Sequence, residues 1–175
     1  YVFDEADLTD RMEQYVSNFH AMYPNSDVAY ASKAFINKEI YRIAKAQGMY
    51  LDVSGGGELA YAQAVDFPME HIVVHGNHKT PRELEEAISA GVGHIIVDSR
   101  IELGRISEIA GRLGKTQDIL MRITPGVEAD THEFIRTGCE DSKFGFTVKD
   151  DFAFKCVKDV MAAPNVNLVG FHCHI

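Results

Sequence analysis

The stretch that decides the fold is residues 71–98, HIVVHGNHKTPRELEEAISAGVGHIIVD. Short apolar, β-branched runs at 71–75 and 94–97 are typical of buried strands. The segment between them, 81–90, has helical spacing. Pro81 opens it and Gly91 follows its last turn, which are favoured positions for these residues at helix ends. The stretch therefore predicts a strand–helix–strand unit whose two strands run parallel.

The same unit repeats along the chain. Strands are predicted at 27–32, 50–53, 71–75, 94–97, 117–123 and 167–174, and helices at 38–47, 58–64, 81–90, 101–113 and 150–163. The first five strands begin roughly 23 residues apart, the length of one strand, one helix and two short loops. Asn37 and Ser99 are predicted N-caps, and Gly48 and Gly114 predicted helix ends. An additional strand at 1–3 and a covering helix at about 7–20 precede this array.

Polar or ionisable side chains stand at nearly every strand end. They are Lys33, Asp52, His75 with Asn77, Asp98, Arg122, and His172 with His174. In a βα barrel these ends converge on one rim, where the chemistry of such barrels takes place, whereas in an open sheet they spread along an edge. The pattern favours an α/β fold that is a partial TIM (β/α)8 barrel with about six parallel strands. The chain begins at Tyr1 without a methionine and stops at Ile175 inside an apolar run, so we expect a barrel truncated at both ends.

The last predicted strand alternates in character. Side chains alternate across a strand, so one set is expected to face the barrel interior and the other to pack against helices. The inner set is Leu168, Gly170, His172 and His174, and the outer set is Val169, Phe171, Cys173 and Ile175. Cys173 is accordingly expected to be a small buried apolar residue.

The composition of the chain limits which binding partners and which cellular compartment are expected. The formal net charge is -9, which argues against nucleic acid as a partner because phosphate binding requires a basic surface. No apolar run of membrane-spanning length and no leader segment is visible in the sequence. Three cysteines without a Cys-x-x-Cys pair are expected to be reduced thiols. We therefore expect a cytoplasmic protein that binds neither nucleic acid nor membranes.

Several rim residues have two possible roles. Lys33 follows an apolar strand, where partial shielding from water would favour the neutral amine of Schiff-base chemistry. Taken alone, however, a lysine that extends from the strand end into solvent is the preferred interpretation. His172 and His174 could bind a metal with His75 and Asp98, as in metal-dependent barrel hydrolases, or contact an organic cofactor.

One strand residue and two loops are further candidates for a functional role. Arg122 interrupts an apolar strand and needs a carboxylate or phosphate partner. The small-residue turn 54–57 could receive an anion, but close packing explains it better. The long insertion 125–146 is expected to be functional.

A series of motifs resembles one enzyme family. In chain order they are YASKA at 30–34, DVSGGGEL at 52–59, HGNHK at 75–79, VDS at 97–99, RITPGV at 122–127, THEFIRTG at 131–138, DSKFG at 141–145 and GFHCHI at 170–175. Together they resemble the diaminopimelate decarboxylases, within the alanine-racemase-like class of pyridoxal-phosphate (PLP) enzymes. Ornithine and arginine decarboxylases resemble the 131–145 region less well.

The resemblance implies a cofactor site and a reaction. Lys33 would carry PLP as a Schiff base, His174 would stack on its ring, and the other pocket residues would be Asp52, Glu58, Arg122, His75 and Asn77, with Lys143 in a supporting loop and no metal. The reaction would convert meso-2,6-diaminopimelate to L-lysine and CO2. A related PLP-dependent basic amino acid decarboxylase, a non-catalytic or racemase-like PLP protein, and a metal-dependent hydrolase are the alternatives.

The resemblance also implies how the chain is organised. Residues 1–175 would be the N-terminal part of the PLP-binding barrel domain, with a C-terminal β domain outside them. The full-length protein would be a homodimer acting on a small amino acid, and the 175 residues alone would be inactive.

Overall fold

The computed structural model describes residues 2–126 and 144–174. Their helices are α1 Glu5–Met22, α2 Lys38–Ala46, α3 Gly56–Gln63, α4 Pro81–Ala90, α5 Arg100–Arg112 and α6 Phe152–Ala162. Their strands are β1 Ala29–Ala31, β2 Tyr50–Val53, β3 Ile72–Val74, β4 His94–Val97, β5 Gln117–Thr124, β6 Phe146–Thr147 and β7 Val166–His172. Short 3-10 turns occupy Ser32–Ala34, Met69–His71 and Lys149–Asp151. The predicted alternation of strands and helices is confirmed.

All of the described strand pairs are parallel, and each strand from β1 to β4 pairs with the next one along the chain. The order is β1-β2-β3-β4-β5, and β7 continues the sheet beyond β5. The two-residue strand β6 pairs with the end of β5 at Ile123 and Thr124. This succession of βα units is a partial TIM barrel, as predicted. Within the described residues β1 and β7 are not paired with each other, so the barrel is not closed.

One apolar core joins the sheet to its helices. Its fully buried members include Leu51, Ile72, Ile95 and Ile119 from the strands, and Tyr41, Ala44, Leu84, Ile88, Ile106 and Ala110 from the helices. Burying one such large side chain contributes about 1.5–3 kcal/mol. The core therefore fixes the strand ends relative to one another, and the strand ends carry the polar side chains.

Local capping residues define the helix ends as predicted. The Asn37 side chain accepts a hydrogen bond from the Ile40 N–H at 2.8 Å, and the Ser99 hydroxyl accepts one from the Glu102 N–H at 3.2 Å. Gly91 ends α4 in the left-handed conformation at φ 81°, which a residue without a Cβ adopts at little cost.

Three predictions about local elements are wrong. Residues 2 and 3 form no strand, and Tyr1 lies outside the described residues. The first predicted strand is shorter than expected, because Ser32 turns into the 3-10 turn that carries Lys33. The strand β6 was not predicted, because two residues are too few to show alternation.

The outer face of β7 differs from the prediction. Val169 is 45% exposed and Phe171 60% exposed, and Cys173 is exposed rather than buried. The helices α5 and α6 contact β7 but leave these side chains uncovered. Ile175 lies outside the described residues. Cys156 is a free, buried thiol, and Cys139 is also outside the described part.

No helix in residues 2–126 or 144–174 combines the length and the apolar character needed to cross a lipid bilayer.

Candidate active site

Polar side chains from adjacent strand ends meet at one rim of the sheet. Arg122 on β5 lies opposite His172 on β7 in the strand register. The His75 ring, just after β3, is 4.9 Å from the His172 ring and 6.1 Å from the His174 ring, measured between centroids. The charge of Lys33 is among the causes that lower the pKa of His174, so the two side chains are near enough to interact electrostatically. The predicted convergence of strand ends is confirmed.

Arg122 is the buried centre of this cluster. It is 3% exposed, and its Nη1 lies 3.3 Å from Asp98 Oδ1 and 3.2 Å from His75 Nε2. The guanidinium carbon lies 4.4 Å from the centroid of the Phe144 ring, a cation–π contact. Asp98 is thus a carboxylate partner of Arg122, as expected. A guanidinium has five N–H donors, so this ion pair does not prevent a further contact with a ligand.

The Arg122 contact determines the tautomer of His75. A guanidinium only donates hydrogen bonds, so Nε2 of His75 must accept. Nδ1, the other ring nitrogen, then carries a proton and lies 3.6 Å from Asp52 Oδ2. Asp52, His75 and Arg122 thus form an ordered row across β2, β3 and β5.

Two buried polar atoms of the rim have no hydrogen-bond partner among residues 2–126 and 144–174. They are Asp52 Oδ1 and His172 Nδ1. Burial, followed by the charges of His75 and Arg122, lowers the pKa of His172 to about 4. Burial and the charge of Lys33 also lower the pKa of His174. Both shifts favour the uncharged forms of His172 and His174. With the unsatisfied polar atoms beside them, these rings are suited to a flat polar ligand, since an unsatisfied buried atom is costly unless a ligand pairs with it.

Lys33 projects from a turn that two tyrosines hold. The buried Tyr41 hydroxyl donates to Ser32 Oγ at 2.7 Å, and the Tyr30 hydroxyl donates to the Phe35 carbonyl at 2.7 Å. Lys33 itself is exposed, so of the two alternatives for its side chain the structure shows the one that extends into solvent. The 3-10 turn lifts the side chain out of the sheet, where strand geometry would have kept it against its neighbours.

A second lysine, Lys79, lies behind the rim and was not predicted as part of the site. Its Nζ is 3.0 Å from Glu102 Oε1 and also donates to the Gly76 carbonyl. The other Glu102 oxygen accepts from the Asp98 N–H at 2.8 Å. Burial lowers the pKa of Lys79 and raises that of Glu102, and each partner opposes the other's shift. The Ser99-x-x-Glu102 spacing resembles a capping box and was the available signal for Glu102.

The glycine turn before α3 binds carboxylates of the protein itself. Glu58 accepts a hydrogen bond from the Ser54 N–H, and Glu83 Oε1 accepts one from the Gly56 N–H at 3.3 Å. These contacts favour the interpretation of 54–57 as a closely packed turn.

The remaining predicted residues contribute less to the described rim. Asn77 is exposed and makes no side-chain hydrogen bond to a described residue. Lys143, and most of the predicted functional insertion, lie outside the described residues. In the described part of the chain, no three His, Cys, Asp or Glu side chains are grouped so as to hold a metal ion. The metal alternative therefore lacks its ligand set among these residues.

The whole chain is similar to known proteins. Residues 6–175 match the family model described as "Pyridoxal-dependent decarboxylase, pyridoxal binding domain". The diaminopimelate decarboxylases of Mycobacterium bovis and Bacillus subtilis are 46% and 41% identical to it over 175 residues, which is 100% of this chain and 38% and 40% of theirs.

A solved structure shows the same similarity. Diaminopimelate decarboxylase from M. jannaschii, in complex with L-lysine, superposes with a TM-score of 0.85 at 35% identity, covering 98% of this chain and 41% of that one. The chain thus spans about two fifths of the length of these relatives. Because the family model covers nearly every residue, the chain belongs to the pyridoxal-dependent decarboxylases, in the pyridoxal-binding domain of that family.

Proposed function

We propose that the protein containing these residues is a PLP-dependent carboxy-lyase that converts meso-2,6-diaminopimelate to L-lysine and CO2, a step of lysine biosynthesis. The observation that carries the proposal is the accessible primary amine of Lys33 at a rim that holds the histidines 75, 172 and 174 and the buried guanidinium of Arg122. The substrate is inferred from the names of the relatives and from the L-lysine bound to the M. jannaschii enzyme.

The residues of the rim fit the cofactor chemically. A pyridoxal group needs a primary amine, hydrogen-bond partners for its ring substituents and a flat surface for its ring. Lys33 supplies the amine, the unpaired Asp52 Oδ1 and His172 Nδ1 supply buried polar partners, and His174 supplies an imidazole face. When bound, the cofactor supplies an electron-withdrawing ring that accepts the electrons left by the departing carboxylate.

Accessibility distinguishes the two lysines near the rim. Lys79 is 5% exposed and is paired with Glu102, so its amine is not available to attack a carbonyl. Lys33, by contrast, is exposed, and its charge influences the pKa of His174. We infer that Lys33 binds the cofactor covalently and, when released by the substrate amine, returns a proton to the carbon that loses its carboxylate.

The other rim residues would orient the cofactor or bind its charged groups. Arg122 carries a permanent positive charge fixed by Asp98 and His75, which suits an anionic oxygen of the cofactor or substrate. The neutral His172 and His174 can contact an aromatic ring without the cost of burying a charge. Glu58 stabilises the turn before α3, and Asn77 is exposed in the loop that follows β3.

We further infer how the chain is organised and where it acts. The 175 residues constitute the N-terminal part of a PLP-binding barrel domain, a C-terminal β domain lies outside them, and the activity belongs to the longer protein. A homodimer in the cytoplasm is the proposed state of that protein. The formal net charge of -9 supports a small amino acid rather than a nucleic acid as its partner.

The test measures CO2 release by the full-length protein with added PLP. We expect turnover of meso-2,6-diaminopimelate to L-lysine to exceed turnover of L-ornithine and L-arginine. Lys33→Ala should lower the rate by about a thousandfold or more, while Lys38→Ala, an exposed lysine on α2, should not change it. Preference for L-ornithine would contradict the substrate, and an active Lys33→Ala variant would contradict the role of the amine.

A further inference from the structure

A buried group of charges behind the rim is not used by the proposed reaction. Lys79 and Glu102 are each 5% exposed, and their side chains form an ion pair between the loop that precedes α4 and the first turn of α5. Buried ion pairs are weak evidence of a stabilising role, because the cost of removing both charges from water offsets their attraction. We therefore consider the hydrogen bonds that Lys79 and Glu102 make to the backbone rather than the attraction between their charges.

Each member of the pair holds the backbone beside a contact of Arg122. Lys79 Nζ donates to the carbonyl of Gly76, the residue that follows His75. Glu102 Oε2 accepts from the backbone N–H of Asp98 at 2.8 Å. His75 and Asp98 are the two residues whose side chains contact Arg122 Nη1.

The four charged groups form a neutral set. Lys79 is faced by Glu102 from α5, by Asp98 from the end of β4 and by Arg122 from β5. Glu102 is faced by Lys79 and Asp98. Two cations and two carboxylates share one buried volume, so a change in the charge of one member alters the field at Arg122.

We propose that Lys79 and Glu102 are positioning residues for Arg122: they lock the backbone beside His75 and Asp98 and balance the charge around the guanidinium, without contacting the ligand themselves. The identity of the group that Arg122 binds, an anionic oxygen of the cofactor or substrate, depends on the proposed function. The positioning of Arg122 by Lys79 and Glu102 does not.

The test compares Lys79→Met, Glu102→Gln and the double variant in the full-length protein. The matched control is Glu85→Gln, which breaks an exposed ion pair between Arg112 of α5 and Glu85 of α4. The first readout is the PLP dissociation constant from about pH 6 to pH 8.5, expressed as a ratio to the unmodified protein at the same pH. The second is 15N NMR of the His75 ring and of the Arg122 guanidinium without cofactor.

The loss of PLP affinity should depend on pH in opposite ways in the two single variants. Lys79→Met leaves an excess carboxylate, which takes up a proton as the pH falls, so its roughly tenfold loss of affinity should shrink at low pH. Glu102→Gln leaves an excess ammonium, which releases its proton as the pH rises, so its loss should shrink at high pH. The double variant is neutral and should show a loss that does not vary with pH, and Glu85→Gln should show none.

The NMR readout separates this inference from the proposed function. We expect the His75 and Arg122 resonances to move in both single variants and to stay in place in Glu85→Gln. If the unmodified protein binds no PLP, the proposed function fails, and the resonances still decide whether the pair positions Arg122. Unchanged resonances, pH-independent losses in the single variants, or a folded double variant that binds PLP like the unmodified protein would each overturn the inference.

Discussion

Replacing Asp98 by Asn should show how much the ion pair between Asp98 and the buried Arg122 contributes to the free energy of unfolding. The change keeps the shape of the side chain and removes its negative charge. Asp98 and Arg122 are 7% and 3% exposed, so water cannot replace the lost partner. The guanidinium then remains as a buried, uncompensated charge.

The size of the effect follows from the contacts that remain. Removing one partner of a buried ion pair typically costs about 3–5 kcal/mol. Arg122 would keep its contact with His75 at 3.2 Å and with the Phe144 ring at 4.4 Å, and a desolvated cation–π contact contributes about 2 kcal/mol. We therefore expect a loss near the lower end, about 3 kcal/mol in the free energy of unfolding.

Urea unfolding of the cofactor-free, full-length protein at about pH 7.5 measures this loss. The control is Glu85→Gln, because Glu85 lies 3.0 Å from its partner Arg112 but the two side chains are 44% and 59% exposed. Exposed ion pairs contribute about 0–1 kcal/mol, so the control should cost no more than about 0.5 kcal/mol. Equal losses in the two variants would refute the account of Arg122 as a buried charge held by Asp98.

Three other measurements test separate parts of the site. Tyr41→Phe should cost about 1–2 kcal/mol of unfolding free energy because Ser32 Oγ loses its buried donor, and a Ser32→Ala/Tyr41→Phe cycle should show the two changes to be non-additive; additive losses would contradict the bond. The pKa of His172 is lowered from its ordinary value of 6.5 to about 4, so the unfolded state binds a proton first and the protein should lose stability as the pH falls through this window. The expected loss of unfolding free energy is about 1 kcal/mol, because the ring is only partly buried. In His172→Gln this part of the pH dependence of stability should disappear, and a variant with the same pH dependence as the unmodified protein would contradict the prediction. Gly145→Ala should lower the melting temperature more than Gly114→Ala: both residues have positive φ, but only at Gly145 would the new Cβ lie 2.8 Å from a backbone oxygen, and equal shifts would disprove the close approach.

Local patterns predicted the array of elements because each depends on neighbouring residues. The apolar runs marked the strands, and Asn37, Ser99 and Gly91 marked helix ends through hydrogen bonds or φ angles within a few residues of themselves. The convergence of His75 and Arg122 was also predictable, since parallel strands bring their ends to one rim.

Features that depend on long-range geometry were not predictable in this way. Lys79 and Glu102 are 23 residues apart in sequence, and only the path of the loop after β3 brings them together. Lys33 follows an apolar strand, yet a turn that begins at Ser32 exposes it. The exposure of Phe171 depends on which helices cover β7, and periodicity identifies the face of a strand without identifying what covers it.

The attachment of the cofactor to Lys33 is the central claim, and reductive trapping tests it most directly. The full-length protein is incubated with PLP, reduced with borohydride and digested, and the modified peptide is identified by mass spectrometry. The account predicts one stable adduct, on the peptide that contains Lys33, and none in Lys33→Ala. An adduct on Lys79 or on any other lysine, or no adduct at all, would contradict it.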